Sequence, residues 1–254
     1  MAPLVEALIV SAKSTAIKKT QEFVKKKIIE RWSQYRAEKF FEAFLGEVGK
    51  QADGRYQLAS LDELLEKLGA NDEATSALFD AYRRVCLSAS KDIGPRVIGL
   101  LTAEIVLQER SATDGEERIF QAAELLNDAD FRGFVEYTRA RQSQLTDEQC
   151  VQFEREGHAC YTVDEYVDEV ETTGGHFISF PPPNLGETLG VWGLRLGGLC
   201  LVGMERRERT RIEHADSERY RDQDMHVRTV KDYVVTTPEY HRLAALSERA
   251  IASL

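Results

Sequence analysis

The chain has 254 residues, 43% of them hydrophobic and 30% charged, enough apolar material for one large core or two modest ones. That balance, with a mean hydropathy of −0.38, excludes a disordered composition, and no run of 18 residues is free of charge, so no membrane span is expected. The formal charge of −10 divides into +4 over residues 1–50, −14 over 51–183 and 0 over 184–254; the middle of the chain therefore offers nothing to a nucleic acid, while either end can.

At the N-terminus, Leu4, Val5, Leu8, Ile9 and Val10 precede the lysines and Glu6 sits among them, the reverse of a secretion signal, so cytoplasmic residence is expected. From Leu4 to about Val48, apolar residues at Leu4, Leu8, Ala12 and Ala16, then Val24, Ile28, Trp32 and Tyr35, keep to one helical face and predict one long helix or two nearly collinear ones. Lys18, Lys19, Lys25, Lys26 and Lys27 cluster on it as a basic helix face. Glu22 and Glu30 interrupt that face, which favours a solvated surface over an anionic partner.

Four segments have the form of a capping box, in which a hydroxyl accepts from a first-turn amide and a later acid or amide reaches back: Ser60 to Glu63, Thr113 to Glu116, Thr146 to Gln149 and Thr162 to Glu165. Each predicts a helix start. Between them, Asn71 opens a helix running to about Ala89. Pro95 fits the first turn of a helix through Ile98, Leu101, Ile105 and Val106, whose near-continuous apolar run marks it as the central buried one. Ile119, Ala123, Leu126, Phe131, Phe134 and Val135 then line one helix, or two broken near Asn127-Asp128. The acids Asp128 and Asp130, and the cluster Asp164, Glu165, Asp168, Glu169 and Glu171, lack the ordered glycine loop of a calcium site and read as solvated helix faces.

Eight of the 17 glycines and three of the six prolines lie between Gly174 and Gly203, and there the character of the chain changes. His176 to Phe180 alternates and reads as a strand ended by Pro181 to Pro183. Leu185, Leu189, Trp192, Leu196 and Leu199 recur at helical spacing among glycines suited to close packing or a broken helix, and Leu199 to Val202 runs on as strand. Arg206 to Arg228 is polar enough to be an exposed loop or hairpin. Tyr233 to Thr237 is a strand, and Pro238 starts a last helix with Tyr240, Leu243, Leu246 and Ile251 on one side.

The expected fold is mainly α: a helical domain over residues 1–145 with its long first helix, and a small α+β domain over 146–254. Helix, short strand, charged hairpin, strand and the closing "T-x-P-E-Y-H-R-L-A-A-L" of residues 173–254 resemble the second half of winged-helix domains. That resemblance implies a helix in the DNA major groove and a phosphate-contacting wing. The matching positions are Asn184 and Arg195 on the helix, with Glu187 and Thr188, and Arg206, Arg207, Arg209 and Arg211 on the wing, where Glu205, Glu208 and Glu213 lie among the arginines. Such a composition suits protein contact or dimerisation better than base reading. Lys91 to Leu101 with Ala122 to Asp130 resembles bacterial helical proteins carried with mobile elements or phage defence.

Catalytic constellations are sparse. Arg209 to His214 and Arg221 to His226 have an Arg-x4-His spacing, and the second resembles the motif of HEPN-type ribonucleases, in which the arginine stabilises transition-state charge and the histidine moves protons. Cys150, His158, Cys160 and His176 gather zinc-ligand types at spacings awkward for tetrahedral closure. The four cysteines form no CxxC pair and read as reduced, partly buried thiols. Neither a phosphate-binding glycine loop nor a Gly-x-Ser-x-Gly elbow occurs. The sequence thus points to a regulatory or protein-interaction module without catalysis or cofactor, binding a protein partner or a second copy. A winged-helix DNA-binding regulator is the first alternative and a ribonuclease using Arg221 and His226 the second.

Overall fold

The computed structural model describes residues 34–51, 72–142, 158–171, 176–213 and 225–254. Among them, eight helices hold about 60% of the residues, and three antiparallel strands make one small sheet. They fall into two compact units. One comprises the described residues up to Val135 together with Arg242–Leu254; the other is Glu136–His241.

The first unit is built from α1 (Gln34–Gln51), α2 (Asp72–Leu87), α3 (Ile93–Leu107), α4 (Asp114–Leu125), the start of α5 (Asp128–Gln142) and most of α8 (Pro238–Ala252). As its apolar run predicts, α3 is central and buried from Ile93 to Ala103 and again at Ile105 and Val106. Gly99 permits the closest crossing, since a Cβ there would lie 2.5 Å from the Phe40 carbonyl of α1. Phe40, Phe44, Ile98, Leu101, Ile119, Phe131 and Phe134 are wholly enclosed and form the core. Pro95 stands in the first turn of α3 as expected, but the cap comes from far along the chain. The Asp92 side chain makes no capping bond; Asp128 of α5 instead accepts from the amides of Lys91, Asp92 and Ile93 and from the Ser90 hydroxyl. These four donors hold the Asp128 carboxyl below its usual range despite the opposing effect of burial. Asp130 accepts from the Asn127 amide, closing the start of its own helix. Both acids are therefore structural rather than a solvated face.

The capping box at Thr113 forms as expected, with Glu116 returning the bond to the Thr113 amide. At Thr162 the same pattern fails, because Thr162 to Glu165 lie inside strand β1 (Ala159–Glu171). Tyr161, Thr162, Val163, Tyr166, Val167 and Val170 are β-branched or aromatic, and pairing along a full strand prevails over a local helix start. The boxes at Ser60 and Thr146 lie outside the described residues, as does the helix expected before Gln34 with Lys18, Lys19, Lys25, Lys26 and Lys27.

The second unit places α6 (Leu185–Leu189) and α7 (Val191–Gly198) between β1 and the hairpin of β2 (Val202–Glu213) and β3 (Met225–Thr236), with strand order β1-β3-β2. Both neighbours run antiparallel to β3, and a bulge at Val163 shifts the β1 register. Cys160, Tyr233 and Val235 pack together on one face. Cys160 is disulfide-bonded, whereas Cys86 and Cys200 are free, which corrects the reduced state expected of the cysteines. Thiols pair by proximity in the fold, which the spacing of these cysteines along the chain does not reveal.

The strand expected over His176 to Phe180 is absent. The segment crosses the sheet without joining it, because side chains take the place of ladder bonds: Asp168 accepts from the Ile178 amide at 2.7 Å, Arg228 donates to the Ile178 carbonyl, and Arg206 donates to the carbonyls of Phe180 and Pro181. The Arg228 guanidinium also lies over the rings of Phe177 and Phe180, at 4.7 and 5.6 Å.

Candidate interaction surface

Antiparallel register decides which side chains share a face, since directly opposed residues point the same way and neighbours along a strand alternate. Arg206 is opposed to Asp232, and Arg207 to Lys231. The arginines grouped in the sequence are thus split between the two faces.

Arg206 belongs to the side crossed by the 176–183 segment. Its Nε and Nη2 donate to the two Asp232 oxygens at 2.7 Å each, a bidentate pair whose carboxylate is buried. With two carbonyls completing its bonds, Arg206 is a structural clamp, which removes it from the expected set of phosphate contacts. The Asp232 hydrogen bond holds the guanidinium even further above its ordinary pKa.

Arg207, Arg209 and Arg211 share the other face. Across the sheet their rows contain Lys231 and Glu165, Thr229 and Val167, and Val227 and Glu169. Glu205 occupies the same face at one end. Arg207 pairs with Glu205 at 3.0 Å and Lys231 with Glu165 at 3.4 Å. Among the described side chains, four cations therefore face the three acids Glu165, Glu169 and Glu205, a near balance that gives the surface no strong anion attraction.

The helical pair differs from its expected role too. Asn184 is the N-cap of α6, its Oδ1 accepting from the amides of Gly186 and Glu187 at 2.9 and 3.4 Å. Arg195 is half-buried in α7. Trp192 and Leu196 face the unit's interior, Trp192 with its ring 5.5 Å from that of Tyr137. The outward side of α7 carries Val191, 59% exposed, and Leu194, 54% exposed, one turn apart. Sequence reading placed polar side chains at the centre of this surface. The missed signal was the interval between Val191 and Leu194, out of phase with Trp192 and Leu196.

His226 lies on β3 between Val170 and Ile212, and Arg221 and His214 are outside the described residues. Of the four zinc-type residues, Cys160 is committed to its disulfide and Cys150 is outside the described residues. Among the described residues, no group of three His, Cys, Asp or Glu is placed to hold a metal ion, and no helix is long and apolar enough to cross a membrane. Compared with family models, with curated proteins and with solved structures, the chain matches none.

Proposed function

We propose that the chain is a non-catalytic interaction or regulatory module that associates with a second copy of itself through the Glu136–His241 unit, a winged-helix-like arrangement used for protein contact. The order strand, helix, helix, hairpin and the sheet order β1-β3-β2 support the winged-helix reading. What carries the contact reading is the outward face of α7, where a DNA-reading domain places polar side chains and this chain exposes Val191 and Leu194. The experiment is mass in solution together with nucleic-acid content of the purified full chain. The expected result is an oligomer free of nucleic acid, and Leu194→Asp returns it to the mass of one chain. A monomeric wild-type protein would sink the proposal.

DNA regulation is the second reading. It rests on Arg207, Arg209 and Arg211 recurring every second residue of β2, about 7 Å apart, a spacing suited to successive phosphates. It requires duplex affinity that falls steeply with salt and is lost when the three are replaced together. The ribonuclease reading requires RNA cleavage abolished by His226→Ala. Any setting in mobile elements or phage defence rests on the sequence resemblance alone.

A further inference from the structure

The helical unit holds a cavity of about 350 Å³ lined by α1, α3 and the end of α8, within the size range of small-molecule sites. Its wall carries three cations, Lys50, Arg96 and Arg249, and one acid, Glu42, over an apolar floor that includes Leu100. Arg96 is only 6% exposed, and a guanidinium so enclosed stays charged and needs an anion. Its Nη2 donates to Glu42 at 2.9 Å and its Nη1 to the Ser253 hydroxyl at 3.2 Å, while the buried Nε has no hydrogen-bond partner among the described residues. Arg249 is answered from beneath by Glu47 and Glu104. Among the described residues, Glu42 is then the one carboxylate on the wall beside Arg96 and Lys50. Its side chain is 52% exposed and is also bonded by Lys39 from the solvent side.

A carboxylate reaching in from solvent to a buried arginine marks where an anion sits. We propose that this cavity binds a small molecule bearing a phosphate or carboxylate group, which displaces Glu42 from Arg96 and is received also by Lys50. The C-terminal end of α8 also lines the cavity, but a helix terminus carries about half a charge and does not outweigh the full charges of Lys50 and Arg96. The apolar floor receives a short hydrocarbon body.

The test is calorimetric titration of the full chain with inorganic phosphate and, separately, with succinate, each against sodium chloride of matched ionic strength. Saturable binding with a dissociation constant of about 1 mM or below is expected for at least one probe, and which one distinguishes phosphate from carboxylate ligands. Both informative substitutions are at exposed positions, so folding is retained. Glu42→Gln removes the internal competitor and tightens binding about two- to fivefold, the range of one surface ion pair. Lys50→Glu reverses a wall charge and weakens it about tenfold. No saturable heat beyond the chloride control up to about 10 mM, or affinities that both variants leave unchanged, overturns the proposal.

Discussion

The two units differ in how far their charges are drawn into the interior. In the helical unit, charge goes inward. Glu116, 2% exposed, is gripped by Arg110 Nη1 and Nη2 at 2.6 and 2.7 Å, by the Thr113 amide and by Arg242, and Arg242 also bonds Glu104, which Arg249 shares. The network ties α3, α4 and α8 to one another through groups that bond only in one arrangement. In the sheet-bearing unit the Arg206–Asp232 pair is drawn inward but most charges lie outward in rows across a face, and its exposed apolar side chains include Val167, Val191, Leu194 and Ile212, as the helical unit exposes Leu87 and Leu125. Buried charge specifies an interior, whereas exposed apolar surface persists where something else covers it. In the function proposed above, it is the second unit that supplies the contact surface.

If that contrast holds, the largest stability loss comes from the helical network. Glu116→Ala leaves Arg110 and Arg242 facing a vacated site and costs about 3 kcal/mol, read from urea unfolding at pH 7. The pH dependence carries the same signature. Burial opposes ionisation of Glu116, but bonds from Arg110, Thr113 and Arg242 overcome it and hold the carboxyl at about 2, against an ordinary 4.5. A depressed folded pKa means that the contribution is whole above pH 4.5 and is lost as pH falls from there toward 2. Glu116→Gln should flatten that part of the acid limb. An unchanged limb would remove Glu116 from its assigned place.

Asp232→Asn is the matching cut in the second unit. It converts a bidentate ion pair to one neutral acceptor beneath Arg206 and costs about 2 kcal/mol, with amide protection lost first along β2 and the 176–183 segment. A loss equal to that of Glu116→Ala, spread through every amide, would erase the distinction between the units.

How far the sequence announced this arrangement follows from the range of each signal. The buried run of α3, Pro95 in its first turn, the Thr113 box and the break at Asn127 are local patterns, and all four appear in the fold. The Thr162 box is equally local and failed, because it describes only the first turn of a helix and cannot weigh a strand whose partner begins at Met225. Arg206 looked free in the sequence because Asp232 lies on another strand. Asp128 looked solvated because the amides it caps belong to a loop preceding it by some 36 residues. The anion cavity joins side chains from α1, α3 and α8, and nothing in any one of these segments marks it.

The smallest effect separates backbone from packing within the contact helices themselves. Gly190, between α6 and α7, has φ +75° and ψ −163°, a conformation open almost only to glycine, while a Cβ there meets nothing within 4 Å. Gly198 ends α7 with equally open surroundings and no positive φ. Identical substitutions should therefore act with opposite sign: Gly190→Ala destabilises by about 1 kcal/mol through backbone strain alone, and Gly198→Ala stabilises by about 0.5 kcal/mol by restricting the unfolded chain. Thermal unfolding of the two variants side by side decides it. If both are neutral, the α6–α7 break does not depend on Gly190, and another source must hold Val191 and Leu194 outward.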